Sequence, residues 1–223
     1  LGTAKALGSA LAGSAFLAGL VGETVEPAAN HIASCGASRF LGVAGPDFAQ
    51  SRYAADAAAA EALCRAAQAS LAIAPATPRW NRVLAGVAQR LGGRAETHVS
   101  AVTTPEGAVA VSRWYYRQRM EGLLRRQQRP WFILLDPGTQ PAWEGAAGQA
   151  KVEALPLSLP ETCQRTTVLG LRQPAADAQT IRPEAKLLLV AGAGWTKKQA
   201  DGQPHVKEAE KLIADCLKLT RAS

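Results

Sequence analysis

The chain has 223 residues and carries 25 Lys and Arg against 18 Asp and Glu, a formal net charge of +7. That length suits one or two compact domains, and the ordinary apolar content allows a true core. Leu11 to Val21 is apolar but too short to span a bilayer, and it lacks the basic flank and cleavage pattern of a signal peptide, so a membrane span is not expected. The four cysteines (Cys35, Cys64, Cys163, Cys216) and three histidines (His31, His98, His205) are scattered, with no zinc-type spacing. They read as unpaired thiols and packing residues, with no metal site and no catalytic triad.

In chain order, Leu1 to Leu11 reads as a helix, Ser14 to Val21 as a buried strand, and Glu26 to Ser34 as a helix with Pro27 in its first turn and Gly36 as a left-handed stop. A doubly wound domain normally opens on a strand, so the order of elements implies an initial strand ahead of the first helix. Arg39 to Ala44 is the next strand, Arg52 to Gln68 an alanine-rich helix, Ser70 to Ala74 a strand, and Arg79 to Leu91 a helix closed by Gly92 and Gly93. Alternating strand and helix predicts parallel strands with right-handed crossovers.

The rhythm then changes. Glu96 to Val102, a turn at Pro105-Glu106-Gly107, and Ala108 to Gln118 predict an antiparallel pair, which Met120 to Gln127 extends. Trp131 to Leu135 is a short buried strand stopped by Asp136-Pro137-Gly138. Gly138 to Ala150 is loop-like, Val152 to Leu157 and Thr166 to Leu171 are further strand candidates, and Gln173 to Pro183 is a proline-bearing linker. The apolar run Lys186 to Ala191 breaks into Gly192-Ala193-Gly194-Trp195-Thr196-Lys197-Lys198. A helix with an apolar stripe follows over Pro204 to Leu219.

Two features invite chemistry. Gly192 and Gly194 would allow positive φ and close approach of the backbone to a ligand, and the following amides with Lys197 and Lys198 would suit a pyrophosphate. The bland alternative is a tight strand-to-helix turn that touches nothing. Trp195 suits stacking on a ring or interdomain packing equally. The second feature is an arginine series, Arg113, Arg117, Arg119, Arg125, Arg126 and Arg129, set among Trp114, Tyr115, Tyr116 and Trp131. Alternation places Arg113, Tyr115, Arg117 and Arg119 on one strand face, which reads as a solvated basic face, a subunit interface or a single-stranded nucleic-acid surface. Asn81 and Arg82, near the start of a helix, read as structural.

Three segments resemble the α subunits of electron transfer flavoproteins. Leu71 to Thr77 is similar to that family's "LAPAT" strand and turn. Val111 to Tyr116 is similar to "RPIYAG" at Arg113 and Tyr116. Arg182-Pro183-Glu184 with Lys186 to Gly194 resembles its linker and "VVSGGRG" turn. The resemblance implies a three-layer α/β domain of the adenine nucleotide α-hydrolase-like type with a mixed sheet, over residues 1–184. It implies that residues 185–223 open a parallel-sheet FAD-binding domain. It further implies an electron carrier with no bond-making chemistry of its own, FAD as cofactor in the complete protein and weak or no FAD on this segment alone. The partners implied are an electron transfer flavoprotein β subunit, a flavoprotein dehydrogenase as donor and a quinone-linked or iron–sulfur acceptor, in a bacterial cytoplasm rather than a mitochondrial matrix. Gly192, Gly194, Trp195, Thr196, Lys197 and Lys198 then become the flavin-side residues. The sequence departs from the family pattern where Gly194 and Trp195 stand in place of "RG", and where Arg117-Gln118-Arg119 replaces the glycine of "YAGNA". The turn looks like that of α subunits associated with dimethylglycine- and sarcosine-type demethylating dehydrogenases. The alternatives from the residues alone are a non-redox interaction subunit and a basic nucleic-acid-binding domain.

Overall fold

The computed structural model describes residues 1–173 and 192–220. The chain divides into two units, residues 1–169 and 170–223. The predicted boundary at Glu184/Ala185, most of the linker and the predicted strand Lys186 to Ala191 lie outside the described residues.

The first unit runs α1 (Gly2–Ala10), β1 (Leu17–Gly22), α2 (Glu26–His31), β2 (Arg39–Ala44), α3 (Tyr53–Ala66), β3 (Leu71–Pro75), α4 (Pro78–Arg90), β4 (Arg94–Thr103), β5 (Ala110–Tyr115), β6 (Met120–Leu124), β7 (Trp131–Leu135) and β8 (Val152–Ala154). The expected mixed α/β architecture is present. Its strands, however, form two hydrogen-bonded sheets where the sequence suggested one: β1-β2-β8, all parallel, and β3-β7-β4-β5-β6, parallel through β4 and antiparallel beyond it.

The local reasons are ordinary. Trp131 to Leu134 are fully buried because β7 lies between β3 and β4 with helices above and below, the setting that asks for an unbroken apolar run. Thr77 caps α4 by accepting the Trp80 N–H, and Pro78 takes its first position. Gly36 (φ 88°) and Gly92 (φ 65°) supply the left-handed stops after the α2 region and α4. In α3 the alanines Ala55 and Ala59, with Leu63, pack on β1 and β2. Ala57 and Ala60 pack with α4 (Val83, Val87) and β7 (Phe132, Leu134). Small side chains let one helix lie close to both sheets.

The opposite faces are covered by α2, whose Ala29 packs with Ala18 and Phe40, and by α1, whose Leu7 packs with Trp131, Ile133, Leu71 and Ile73. The loop 138–150 is pinned to α2: Gly148 N–H donates to the Asn30 carbonyl at 2.8 Å, and Ala150 N–H to the Asn30 side chain at 2.9 Å.

Three expectations need correction. Thr166 to Leu171 forms no strand; Leu169 and Leu171 are 98% and 85% exposed, and no described strand pairs with the segment. The strand expected to reach Gln118 ends at Tyr115, because Tyr116, Arg117 and Gln118 all take positive φ (49°, 56°, 64°) and turn the chain into β6. Arg117 and Arg119 therefore do not share a strand face with Arg113. In the second unit, the helix expected from Pro204 begins at Val206 and runs to Thr220 as α5.

Candidate functional site

The glycine turn lies in the second unit. Gly192 is extended (φ −92°, ψ 168°), Ala193 to Thr196 make one 3-10 turn, and Lys197 is extended again, its N–H reaching the Gly194 carbonyl at 3.3 Å. The Gln199 side-chain amide donates to the carbonyls of Gly194 (3.1 Å) and Lys197 (3.2 Å), tying the turn to the following loop. That loop closes through Gln199 N–H to the Gln203 carbonyl and Gly202 N–H to the Gln199 carbonyl, both 2.9 Å, with Gly202 left-handed at φ 78°.

Neither Gly192 nor Gly194 takes positive φ, contrary to the sequence expectation. Their value is openness: a Cβ built on either meets no atom within 4 Å, so the backbone is accessible. Gly192, Gly194, Thr196, Lys197 and Lys198 are exposed in one contiguous turn, and Trp195 lies in the same turn. The Val206 helix starts only after the 197–205 loop, so the turn offers its own amides and lysines, without a helix amino terminus. Accessible backbone with two adjacent exposed ammonium groups is a donor set that fits an anionic group such as a pyrophosphate.

Beside this turn is a shallow open depression of about 540 Å³, lined by Gly194, Gln199, His205, Glu208, Ala209 and Leu212. Its chemistry is different. The His205 ring meets Asp201 on one nitrogen and Glu208 on the other, the second at 2.9 Å. The Asp201 hydrogen bond, then Glu208, raises the His205 pKa above its ordinary value. The Gln203 backbone N–H, then His205, lowers that of Asp201. The side of the depression bearing Glu208 is thus acidic and suits no phosphate; Lys197 and Lys198 belong to the turn and do not line it. Sequence reasoning passed over this His205 cluster because its three members are i, i+4 and i+3 neighbours across a loop-to-helix junction.

Four arginines of the series, Arg113, Arg125, Arg126 and Arg129, are tied to carboxylates, carbonyls or rings, while Arg117 and Arg119 are exposed. Glu96, only 2% exposed, accepts from Arg113 at 2.9 Å and from Arg126 Nε at 2.7 Å, with Arg126 Nη2 in ion-pair contact at 2.7 Å. Arg125 pairs with Glu106 at 3.3 Å, Arg113 lies over the Tyr115 ring at 4.7 Å and Arg129 over Trp131 at 5.6 Å. Asn81 and Arg82 are tied into the fold, as expected: Asn81 donates to the Ala76 carbonyl at 3.0 Å and Arg82 to the Ser51 hydroxyl at 2.6 Å. Nearby, fully buried Asp56 accepts from Arg79 and Ser51. Among the described residues no cluster of His, Cys, Asp and Glu could hold a metal ion, and no helix is long and apolar enough to cross a membrane.

The family model described as the electron transfer flavoprotein domain matches residues 1–160. The chain belongs to the electron transfer flavoprotein family. That match covers most of the first unit and ends before the glycine turn. It assigns an electron-transfer type of role, with flavoprotein partners, to the chain as a family member. A search of curated proteins finds no match.

Proposed function

We propose that this chain is an α-type subunit of an electron transfer flavoprotein: an electron carrier that holds FAD chiefly through a carboxy-terminal domain, beside a β-type subunit. The observation that carries the reading is the family match over residues 1–160; an exposed glycine–lysine turn, whose sequence resembles the flavin-side turn of α subunits, supports it. In this reading the exposed backbone of Gly192 and Gly194, with Thr196, faces the anionic part of FAD, Lys197 and Lys198 supply positive charge, and Trp195 contributes a ring. When bound, FAD supplies the one-electron chemistry; the chain's residues position it and set its surroundings. The donor is a flavoprotein dehydrogenase, of the demethylating class that acts on methylated glycines, and the acceptor is quinone-linked or an iron–sulfur protein, in the cytoplasm.

The test is the absorption spectrum of the intact polypeptide coexpressed with its β-type partner. A flavin spectrum that survives gel filtration, and a lower flavin content in a Lys197→Glu, Lys198→Glu variant, are the expected results. A colourless complex that takes up no added FAD refutes the proposal. Residues 1–223 alone should hold FAD weakly or not at all.

A further inference from the structure

A second depression lies in the first unit, where β3 begins. It holds about 770 Å³, and its lining includes Leu11, Leu71 and Val109 with Arg125, Arg126 and Arg129. Its two sides differ in chemistry. Leu11, just after α1, and Leu71, at the start of β3, are half-buried, and Val109 is 7% exposed; all three belong to the apolar cluster around Trp131 and Ile133. The arginines come from the segment between β6 and β7, so the chain sets a cationic edge beside an apolar floor. The three are not equally committed. Arg126 is held by buried Glu96. Arg125 meets Glu106 at 3.3 Å, but both side chains are exposed, 49% and 83%, and such a pair is worth little. Exposed Arg129 has no carboxylate partner among the described residues. Its Nη1 donates to the Arg126 and Gln128 carbonyls and its guanidinium lies over the Trp131 ring at 5.6 Å, while its Nε and Nη2 bond to no described group. Trp131 itself is fully buried, and its Nε1–H finds no acceptor among the described residues, which is rare for a buried donor. The end of α1 adds no free acceptor at Leu11, because the Leu11 carbonyl takes both the N–H and the hydroxyl of Ser14, at 3.1 and 2.8 Å.

We propose that this depression binds a small amphiphilic monocarboxylate, its head on the arginine edge with Arg129 as the main partner and its alkyl tail over Leu11, Leu71 and Val109. Charge selects the head. Arg125 and Arg126 each already face a carboxylate, so the edge carries one uncompensated cation, which a monoanion matches. A dianion such as a phosphate monoester would bring surplus negative charge towards Glu106 and Glu96. The planar guanidinium fork fits a carboxylate in the same plane, and the exposed Glu106 pair can exchange for an incoming head at little cost. Burial selects the tail, since the floor is apolar and continuous with the core. The volume lies in the range of small-molecule sites. The site shares no residue with the 192–198 turn and stands or falls without the flavin reading.

The experiment is proton–nitrogen NMR of the intact polypeptide labelled at tryptophan, the Trp131 indole signal being assigned by replacing Trp80, Trp114, Trp143 and Trp195 with Phe in turn. Added n-octanoate, kept below its micelle concentration, should move that signal saturably. Acetate, with the head and no tail, and n-octylammonium, with the tail and the opposite charge, should not move it at the same concentrations. Arg129→Gln should weaken octanoate binding at least about tenfold, the loss expected of a charge-assisted hydrogen bond. Ala108→Asp, an exposed change in the same lining that adds a repelling carboxylate, should abolish it. Four results overturn the proposal. They are no saturable shift with octanoate, an equal response to octylammonium (an apolar patch alone), octanoate binding unchanged in both variants, or a response only to anionic vesicles and not to monomeric octanoate.

Discussion

Replacing Glu96 by Gln tests whether the arginines of the hairpin belong to the fold or to a partner. The carboxylate is buried and takes two charge-assisted hydrogen bonds, one from Arg113 and one from Arg126, whose Nη2 is also within ion-pair distance. Breaking a fully buried pair costs about 3–5 kcal/mol, because a desolvated charge is left without its partner. Here the arginine side chains are 26% and 33% exposed, so water recovers part of the loss and the discounted expectation is about 2–4 kcal/mol. For a domain of this size, that lowers Tm by roughly 5–15 °C. Urea unfolding followed by Trp131 fluorescence reads the change in the same core. A triple replacement of Glu96 by Leu and of Arg113 and Arg126 by Met should recover at least half of the loss, since apolar packing removes the charges together. A Glu96→Gln change below about 0.5 kcal/mol would refute the reasoning and return Arg113 and Arg126 to the surface as available charge.

Asp56→Ala removes the acceptor shared by Arg79 and Ser51 in a fully buried site and should cost about 2–4 kcal/mol in a urea melt, whereas Asp56→Asn should cost less. Gly93→Ala places a Cβ 2.1 Å from the Pro130 carbonyl oxygen, so the backbone must shift; a loss of about 1–3 kcal/mol is expected by thermal melt. Burial pushes the Cys64 thiol up to about 11, so a disulfide reagent near pH 8 should modify it slowly in the folded chain and fast in urea. His205, whose pKa is raised by Asp201 and Glu208, should give proton NMR titration above the ordinary histidine value, falling back in Asp201→Asn. Its contribution to the start of α5 is complete below the unfolded histidine pKa and is lost as pH rises through the raised one. The Asp201 contribution is present above its unfolded pKa and is lost as pH falls through the lowered one.

What could be read in the sequence was what local pattern decides. β2 and β7 begin and end where their apolar runs do, because turn signals bound both runs. Thr166 to Leu171 has strand-like composition, but a strand exists only where an edge accepts it, and no described strand pairs with that segment. The hairpin end was misread because Tyr116, Arg117 and Gln118 turn through positive φ without a glycine or asparagine to announce it. The Glu96 cluster joins residues 17 and 30 positions apart through strand order alone, which periodicity does not encode. At the proposed flavin turn, the glycines leave the backbone open instead of bending it left-handed, which the sequence pattern did not distinguish.

The distribution of partners then bears on where an anionic group would be held. In the first unit Arg39, Arg52, Arg65, Arg79, Arg90, Arg113, Arg125 and Arg126 each face a carboxylate. A large share of the arginine that makes the chain basic is thus neutralised within the fold, and net charge overstates what that unit presents to a ligand. Lys197 and Lys198 differ from these eight, as do exposed Arg117 and Arg119 at the hairpin turn. The two lysines are exposed, they adjoin glycines whose backbone is open, and neither forms an ion pair with a described residue. A pair of unneutralised cations beside accessible amides concentrates positive potential at one short turn, whereas arginines already tied to carboxylates spread little. That contrast, more than the total of +7, is what supports the proposed seating of an anionic group at the turn.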